Sequence, residues 1–178
     1  MNSRVLQLET SKICNVKCSF CYKSDKNYKN SNINEPFMTL SEIKKYFADN
    51  ISWQKVILFN NGEFFVNPEW KQIFEFVVSR ISNYSEKCEI LINTNTILLD
   101  NDSADFIINT VKNSKMILRL TFSINAYSKK VYENLISENL RDRVYENAEN
   151  FIIKAINYEN ICANPQIIVM KENFNEIE

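Results

Sequence analysis

Three cysteines stand within eight residues near the N-terminus, in the segment Cys14-Asn-Val-Lys-Cys18-Ser-Phe-Cys21. A single loop of this length can bring all three thiols to one metal centre. Three thiolates satisfy three irons of a [4Fe-4S] cube and leave the fourth iron open, whereas an electron-transfer cluster usually has four cysteine ligands. The spacing therefore indicates a [4Fe-4S] cluster with one iron that can bind a further ligand.

A zinc site is the alternative interpretation of the same cysteines. Zinc prefers closed tetrahedral sites, so a fourth thiol would have to come from Cys88 or Cys162. Both lie far from the first three cysteines in the sequence. They are most simply interpreted as small buried apolar residues, and we expect neither to be a ligand.

The composition excludes several classes of site. The chain has no histidine, so it contains neither a Ser-His-Asp nor a Cys-His nucleophile and no histidine-ligated zinc. Glycine occurs once, at Gly62, which rules out a dinucleotide fingerprint and a phosphate-binding loop. We interpret the abundance of asparagine as a compositional bias, because Asn can take positive-φ turn positions that Gly usually fills.

The chain has 178 residues, of which 45% are hydrophobic, and this suffices for one domain with a buried core. No linker divides it, and we expect a single domain over residues 1–178, either a fragment or an unusually short form. The 21 Lys and Arg residues balance 22 Asp and Glu, so we expect no nucleic acid and no membrane among the partners. Residues 1–8 lack the pattern of a signal peptide, and the sequence predicts a cytoplasmic protein.

Short apolar runs alternate with amphipathic helical patterns, which is typical of a parallel sheet with crossover helices. Thr39 and Glu42 form a capping box before one helix. Pro68 suits the first residue of the next helix, whose apolar stripe ends at Ile81. The predicted strands are residues 5–10, 55–59, 89–93, 116–124 and 166–170, with further helices at 104–111 and 144–156 and an irregular loop at 23–36.

Polar groups follow the predicted strands at their carboxyl ends. Loops at these ends form the mouth of a crevice or barrel in parallel α/β folds, so reactive groups gather there. Polar residues at strand ends are also common simply because these ends are exposed to solvent, and for Thr94 and Asn95 both interpretations stay open. The positions are Cys14, Cys18 and Cys21 after the first strand, Asn60, Asn61, Gly62 and Glu63 after the second, Thr94 and Asn95 after the third, and Ser123 and Asn125 at the fourth.

The Cys-x3-Cys-x2-Cys spacing directly after a first strand resembles the cluster motif of the radical S-adenosylmethionine (radical SAM) superfamily. "VILFNNGEFF" at residues 56–65 is similar to the strand and Gly-Gly-Glu-Pro motif of that family. "LINTNT" at 91–96 is similar to its Thr-Asn-Gly strand end, and "FSINA" at 122–126 to its Ser-Ile-Asp-Ala segment. The four motifs follow the family's order along the chain.

This resemblance implies an α/β fold, a partial (β/α)6 barrel of parallel strands in which five βα strands are visible in this chain. It implies that Cys14, Cys18 and Cys21 ligate the cluster, whose open iron binds S-adenosylmethionine. By the same match Glu63, with the backbone of Asn61 and Gly62, holds the methionine amino group. The other implied cofactor-binding residues are Phe20 against the adenine, Asn95 at the third strand end, and Ser123 and Asn125 at the ribose or carboxylate.

Several positions depart from the family pattern. Asn61 and Thr96 replace glycines, Phe64 replaces the proline, and Asn125 replaces an aspartate. In addition, Ser137 stands where many members carry an arginine for the carboxylate of S-adenosylmethionine. We expect Arg141 or Arg143 to take over that role.

The resemblance implies an enzyme that cleaves S-adenosylmethionine reductively and generates a 5'-deoxyadenosyl radical for hydrogen abstraction. The implied partners are an electron donor such as flavodoxin or ferredoxin and a substrate of the peptide or protein class. The sequence is most similar to members with a cysteine-rich extension after the barrel, and we expect a short form that lacks this extension. The altered motifs favour an alternative, a non-catalytic iron-sulfur or zinc-bearing barrel that binds a peptide or partner.

Overall fold

The computed structural model describes residues 4–25, 34–48, 51–83, 88–136 and 139–177. Within these residues parallel strands alternate with helices. The strands are β1 (Val5–Gln7), β2 (Lys55–Ile57), β3 (Glu89–Thr94), β4 (Ile117–Ser123) and β5 (Ile161–Gln166), and the helices are α1 (Leu40–Lys45), α2 (Trp70–Ser82), α3 (Asn101–Val111), α4 (Lys129–Ile136) and α5 (Arg141–Ala155).

The five strands lie in the sheet in the order in which they occur in the chain, and every neighbouring pair is parallel. A doubly wound sheet would instead reverse its strand order at a switch point. Because crossovers between parallel strands are right-handed, a sheet that always adds the next strand at the same edge carries its helices on one face. The predicted α/β fold with five strands of a partial barrel is therefore confirmed.

The core lies between the sheet and its helices. Along β3 and β4 every second side chain is buried, and Ile90, Ile92, Leu118, Leu120 and Phe122 are wholly inaccessible. The alternate residues of both strands lie on the half-exposed face of the sheet. One face of the sheet is thus packed in the core. The loops at the carboxyl ends of the strands lie outside this packing, where they can form a site.

Helix α2 begins two residues after the predicted start at Pro68. The reason is Asn67, which is buried. Its side-chain Oδ1 accepts the N–H of Glu69 at 2.8 Å, and its backbone carbonyl accepts the N–H of Trp70 at 3.0 Å. These bonds keep Pro68 and Glu69 in a turn. In contrast, the capping box of Thr39 and Glu42 before α1 is present as predicted.

Strand β5 corrects the prediction of a strand at residues 166–170. The observed strand, Ile161–Gln166, pairs with β4 alone and contains Pro165. Proline donates no hydrogen bond, so it is tolerated in a strand that pairs on one side only. Pattern alone favoured the apolar residues that follow, but Ile168 and Val169 are 47% and 58% exposed and lie in no strand.

Other differences are smaller. Helix α4 was not assigned from the sequence, and β1 ends three residues earlier than predicted, although Leu8 still donates to Ile57 of β2. Of the predicted loop at 23–36, residues 26–33 lie outside the described residues. No helix in the described ranges is long and apolar enough to cross a membrane.

Candidate functional site

A cavity of about 260 Å³ opens at the carboxyl ends of the strands. Ten of the residues that we predicted as ligands or cofactor contacts line it. They are Cys14, Cys18, Phe20, Cys21, Asn61, Gly62, Glu63, Asn95, Ser123 and Asn125. The fold therefore brings together side chains from four separate segments, as expected from the strand ends.

Backbone hydrogen bonds fasten the cysteine loop at both ends. On its N-terminal side, Met38 donates to the carbonyl of Thr10, and Lys12 donates to that of Pro36. On its C-terminal side, the hydroxyl of Ser24 donates to the carbonyl of Cys18 at 2.7 Å. The N–H of Cys21 also donates to Cys18 at 3.0 Å, so the last two cysteines share one tight turn.

The three thiols of this loop lie close to one another. The pKa of Cys18 is raised to about 12, mainly by burial and also by the neighbouring sulfurs of Cys14 and Cys21. Desolvation by the surrounding chain also raises the pKa of Cys14, although its side chain is exposed at the surface. Without a metal these two thiols are therefore protonated at neutral pH, and a metal centre has to displace their protons.

The donor set fits an iron-sulfur cube better than a single metal ion. Within the described ranges, no group of three or more His, Cys, Asp or Glu side chains is arranged to hold one ion. A cube takes one thiolate on each of three irons, and the three thiols of this loop line the same cavity. The residues present therefore fit a [4Fe-4S] cluster with three cysteine ligands.

The position of the remaining cysteines argues against the closed zinc site. Cys88 directly precedes β3, whereas Asn95, which contacts Cys14, directly follows it. Six strand residues separate the two ends, a distance of roughly 20 Å at the rise of a β-strand. Cys162 is the second residue of β5 and pairs with Arg119, below the cavity. Neither can complete a tetrahedral site with the first three.

Gly62 is required by the chain itself. A Cβ atom at this position would lie 2.6 Å from the carbonyl carbon of Ser11 and 2.7 Å from the carbonyl oxygen of Ile13, too close for any side chain. The N–H of the next residue, Glu63, donates to that Ile13 oxygen at 2.9 Å. The absence of a side chain at Gly62 thus makes room for the backbone of residues 11–13, which leads into the cysteine loop.

Glu63 is a buried carboxylate at the cavity wall, only 3% exposed. Its Oε2 accepts the N–H of Asn95 at 2.7 Å, and its Oε1 accepts that of Phe65 at 3.3 Å. Burial raises the pKa of Glu63 to about 7, although these two N–H groups and the hydroxyl of Thr94 act in the opposite direction. No cation from the described chain reaches this carboxylate, which leaves its charge available to a cationic ligand.

Asn95 connects the end of β3 to the cysteine loop. Besides the bond from its backbone to Glu63, its side-chain Nδ2 donates to Cys14 Sγ at 3.5 Å and to Asn15 Oδ1 at 2.7 Å. Asn95 is half-buried and its amide contacts the cysteine loop, while its contact with a cofactor stays a prediction.

Asn125 lies at the end of β4 in the left-handed region, with φ of 60°. Asn adopts this conformation more easily than most residues. Its Oδ1 accepts the N–H of Ile168, and its carbonyl accepts the side chain of the fully buried Asn173 at 2.7 Å. The Asn that replaces an aspartate is thus held from the segment after β5.

The arginines that we expected near the ligand carboxylate are elsewhere. Arg141 donates to the carbonyl of Tyr127 at 2.7 Å, and its guanidinium carbon lies 3.8 Å from the centre of the Tyr145 ring. Arg143 interacts electrostatically with Asp100. Neither lines the cavity, so that expectation was wrong. Ser137 lies outside the described residues.

Sequence reasoning missed the residues that brace the site from behind. Asn67 donates to the carbonyls of Thr10 and Met38, and Asn147 donates to those of Thr96 and Ile97. The abundance of asparagine was the available signal, and we treated it as bias. Five apolar or aromatic wall residues were missed as well, Val16, Phe59, Tyr132, Ile136 and Ile168.

Comparison with known proteins agrees with this geometry. The radical SAM superfamily matches the chain over residues 8–178. No curated protein sequence matches significantly. A solved structure described as native anSMEcpe with bound AdoMet (S-adenosylmethionine) and Cp18Cys peptide has a TM-score of 0.59 and 17% identity, covering 92% of this chain and 42% of that one.

A second structure, native anSMEcpe with bound AdoMet, has a TM-score of 0.59 and 18% identity, covering 93% of this chain and 44% of that one. The chain thus spans less than half the length of these solved relatives, and at such identity the likeness concerns the fold. The superfamily match, in contrast, extends over nearly the whole chain. The chain belongs to the radical SAM superfamily, whose members use a [4Fe-4S] cluster and S-adenosylmethionine.

Proposed function

We propose that this chain is the core of a radical SAM enzyme, with the cluster on Cys14, Cys18 and Cys21 and S-adenosylmethionine in the adjoining cavity. The observation that carries the proposal is Glu63, a buried carboxylate beside the three-cysteine loop with no cation of the described chain to neutralise it. A buried unpaired carboxylate is costly, so its presence at the cavity favours a cationic ligand. The amino group of S-adenosylmethionine is such a cation.

Bound together, the two cofactors supply reductive cleavage of a sulfonium C–S bond and a 5'-deoxyadenosyl radical that abstracts hydrogen. The protein binds and orients the two cofactors and excludes water from them. Glu63 receives the ammonium group in a charge-assisted hydrogen bond. The carbonyls of Asn61 and Gly62 accept no hydrogen bond within the described part of the chain, and they provide two more acceptors for the same group.

The rest of the cavity suits an adenosyl group. Phe20 is 38% exposed at the rim, where its ring can lie against a purine. Ser123 and Asn125 contribute a hydroxyl and an amide on the side of β4. Since neither Arg141 nor Arg143 lines the cavity, we propose that these neutral donors and the open iron hold the carboxylate.

We further propose a one-electron donor such as flavodoxin or ferredoxin as a partner, because the reaction consumes one electron. Cys14 lies at the exposed edge of its loop, where such a donor can approach the cluster. All five cysteines are free, which fits a reducing compartment, and we propose a cytoplasmic protein. For the substrate we propose a peptide or protein, since a similar fold is described with a bound peptide.

A non-catalytic barrel that binds a peptide or partner is the second candidate. The lack of any lysine or arginine among the described cavity residues favours it, because a cation would strengthen binding of the ligand carboxylate. The two candidates differ in turnover and share the metal centre. A spectrum of the metal centre therefore cannot separate them, whereas product formation can.

The deciding experiment is anaerobic reconstitution with iron and sulfide, followed by incubation with S-adenosylmethionine and dithionite. We expect a brown protein that produces 5'-deoxyadenosine and methionine. The matched control is Cys18→Ala, which should yield neither the spectrum nor the product. A cluster without product under reducing conditions would support the binding module, and stoichiometric zinc without iron would overturn both forms of the cluster proposal.

A further inference from the structure

The turn after β3 holds the side chain of Asn95 in one orientation. Its Oδ1 accepts the N–H of Ile97 at 3.1 Å, so a flip of the amide would lose this bond. The Nδ2 atom therefore faces the cysteine loop, where it donates to Asn15 Oδ1 and to Cys14 Sγ. Both N–H bonds of the amide are used, and one of them points to a sulfur atom.

The same turn is strained. Thr96 is fully buried and has a φ of 70°, a conformation that is unusual for a β-branched residue. Its N–H donates to the hydroxyl of Thr94 at 2.9 Å, and its carbonyl accepts Nδ2 of Asn147 from α5 at 2.9 Å. Strain of this kind persists only where the surroundings over-determine the conformation. The turn is therefore a rigid support for Asn95.

We propose that Asn95 is a positioning residue which donates its amide hydrogen to the Cys14 sulfur when that thiolate ligates the cluster, and which thereby raises the reduction potential. The inference rests on the proposed function. Reduction adds one electron and breaks no bond, and the added negative charge spreads over the cluster and its sulfurs. Hydrogen bonds to these sulfurs stabilise the reduced state, which is one way a protein tunes such a potential.

The placement of Asn95 links this effect to the ligand. Its backbone N–H binds Glu63, the residue proposed to hold the ammonium group, while its side chain binds Cys14. One residue thus fixes the distance between the Glu63 carboxylate and the Cys14 sulfur. A side-chain substitution removes the sulfur contact and leaves the backbone contact in place, so the two roles can be tested separately.

The test measures the midpoint potential of the reconstituted full chain, without S-adenosylmethionine, by titration with dithionite and EPR detection of the reduced cluster. Asn95→Leu removes the donor and should make the midpoint more negative. Asn95→Asp is isosteric and keeps the acceptor for Ile97, but adds a negative charge, so its midpoint should fall further. The control is Asn109→Leu on an exposed face of α3, which should leave the midpoint unchanged.

The outcomes separate this inference from the proposed function. If the wild type takes up no cluster, the proposed function fails. If all variants hold the cluster and their midpoints equal that of the wild type, the role of Asn95 is refuted while the proposed function stands. Loss of the cluster in both Asn95 variants would also overturn the tuning role, because an amide that only tunes the potential is not required for assembly.

Discussion

The backbone N–H of Asn95 lies 2.7 Å from Oε2 of Glu63, and this bond joins the end of β3 to the loop after β2. The carboxylate is fixed by N–H groups of the backbone rather than by a cation. The carboxylate is thus held in one orientation, and its negative charge is only partly compensated. The same residue that directs it also contacts Cys14, so the carboxylate and the cysteine loop form one unit.

Glu63→Gln should weaken binding of S-adenosylmethionine without affecting the cluster. A charge-assisted hydrogen bond contributes roughly 1.5 to 3 kcal/mol, which corresponds to a loss of about tenfold or more in affinity. Calorimetric or EPR-monitored titration of the reconstituted protein measures the effect. Glu149→Gln, on an exposed face of α5, is the control. Equal affinities of wild type and Glu63→Gln would remove the proposed charged contact.

The metal-free protein should lose stability as the pH rises from about 4.5 to about 7. Burial raises the pKa of Glu63 from 4.5 to about 7, so the unfolded chain releases its proton first, and ionisation favours unfolding across this window. The shift corresponds to a decrease of about 3 kcal/mol in the free energy of unfolding. Above pH 7 this contribution is constant.

Urea unfolding of the wild type and Glu63→Gln at several pH values between 4.5 and 8 tests this prediction. The difference between the two free energies of unfolding should change across the window, since the variant has no proton to release there. Parallel curves would show that Glu63 ionises normally in the folded protein, which would contradict the description of its carboxylate as buried and only partly compensated.

Each of Cys14→Ala, Cys18→Ala and Cys21→Ala should abolish the cluster, because a cube with two protein ligands is poorly held. Wild type should contain about four irons per chain. Cys88→Ala and Cys162→Ala are the controls and should retain the iron, since both residues lie away from the cavity. Iron and sulfide analysis after anaerobic preparation decides, and loss of metal in Cys88→Ala would indicate a four-thiolate site.

Gly62→Ala should displace the cysteine loop. The new Cβ would lie within 2.7 Å of backbone atoms of Ser11 and Ile13, which cannot move like the end of a flexible side chain. We expect a loss of about 1 to 3 kcal/mol in the free energy of unfolding, typical of overpacking, together with reduced iron uptake. Ser79→Ala on an exposed face of α2 should change neither. Unaltered stability of Gly62→Ala would mean that this loop is not packed against Gly62.

Local features of the sequence predicted those parts of the site that depend on spacing along the chain. The three cysteines are neighbours in one loop, and Glu63 and Asn125 follow strands whose apolar pattern is regular. Parallel strands bring their carboxyl ends to one edge, so the order of the motifs was enough to place them together.

Strand β5 and the arginines show what spacing could not predict. An edge strand is selected by pairing with β4, and it tolerates Pro165, while the more apolar residues 167–170 remain outside the sheet. Arg141 packs over the ring of Tyr145 and donates to the carbonyl of Tyr127, whereas we expected Arg141 or Arg143 at the ligand carboxylate. Competing partners of this kind are visible only in three dimensions.

The sequence by itself determined the cluster motif, the alternation of strands and helices, and the family to which they belong. The tertiary structure alone decided the use of the asparagines, which the sequence presents as a bias in composition. The side-chain amides of Asn67 and Asn173, which are buried, and of Asn147, which is half-buried, each bind two backbone carbonyls, most of them from other segments. A carbonyl in need of a donor is the same in every residue, so no side-chain pattern reveals it until the fold brings the segments together.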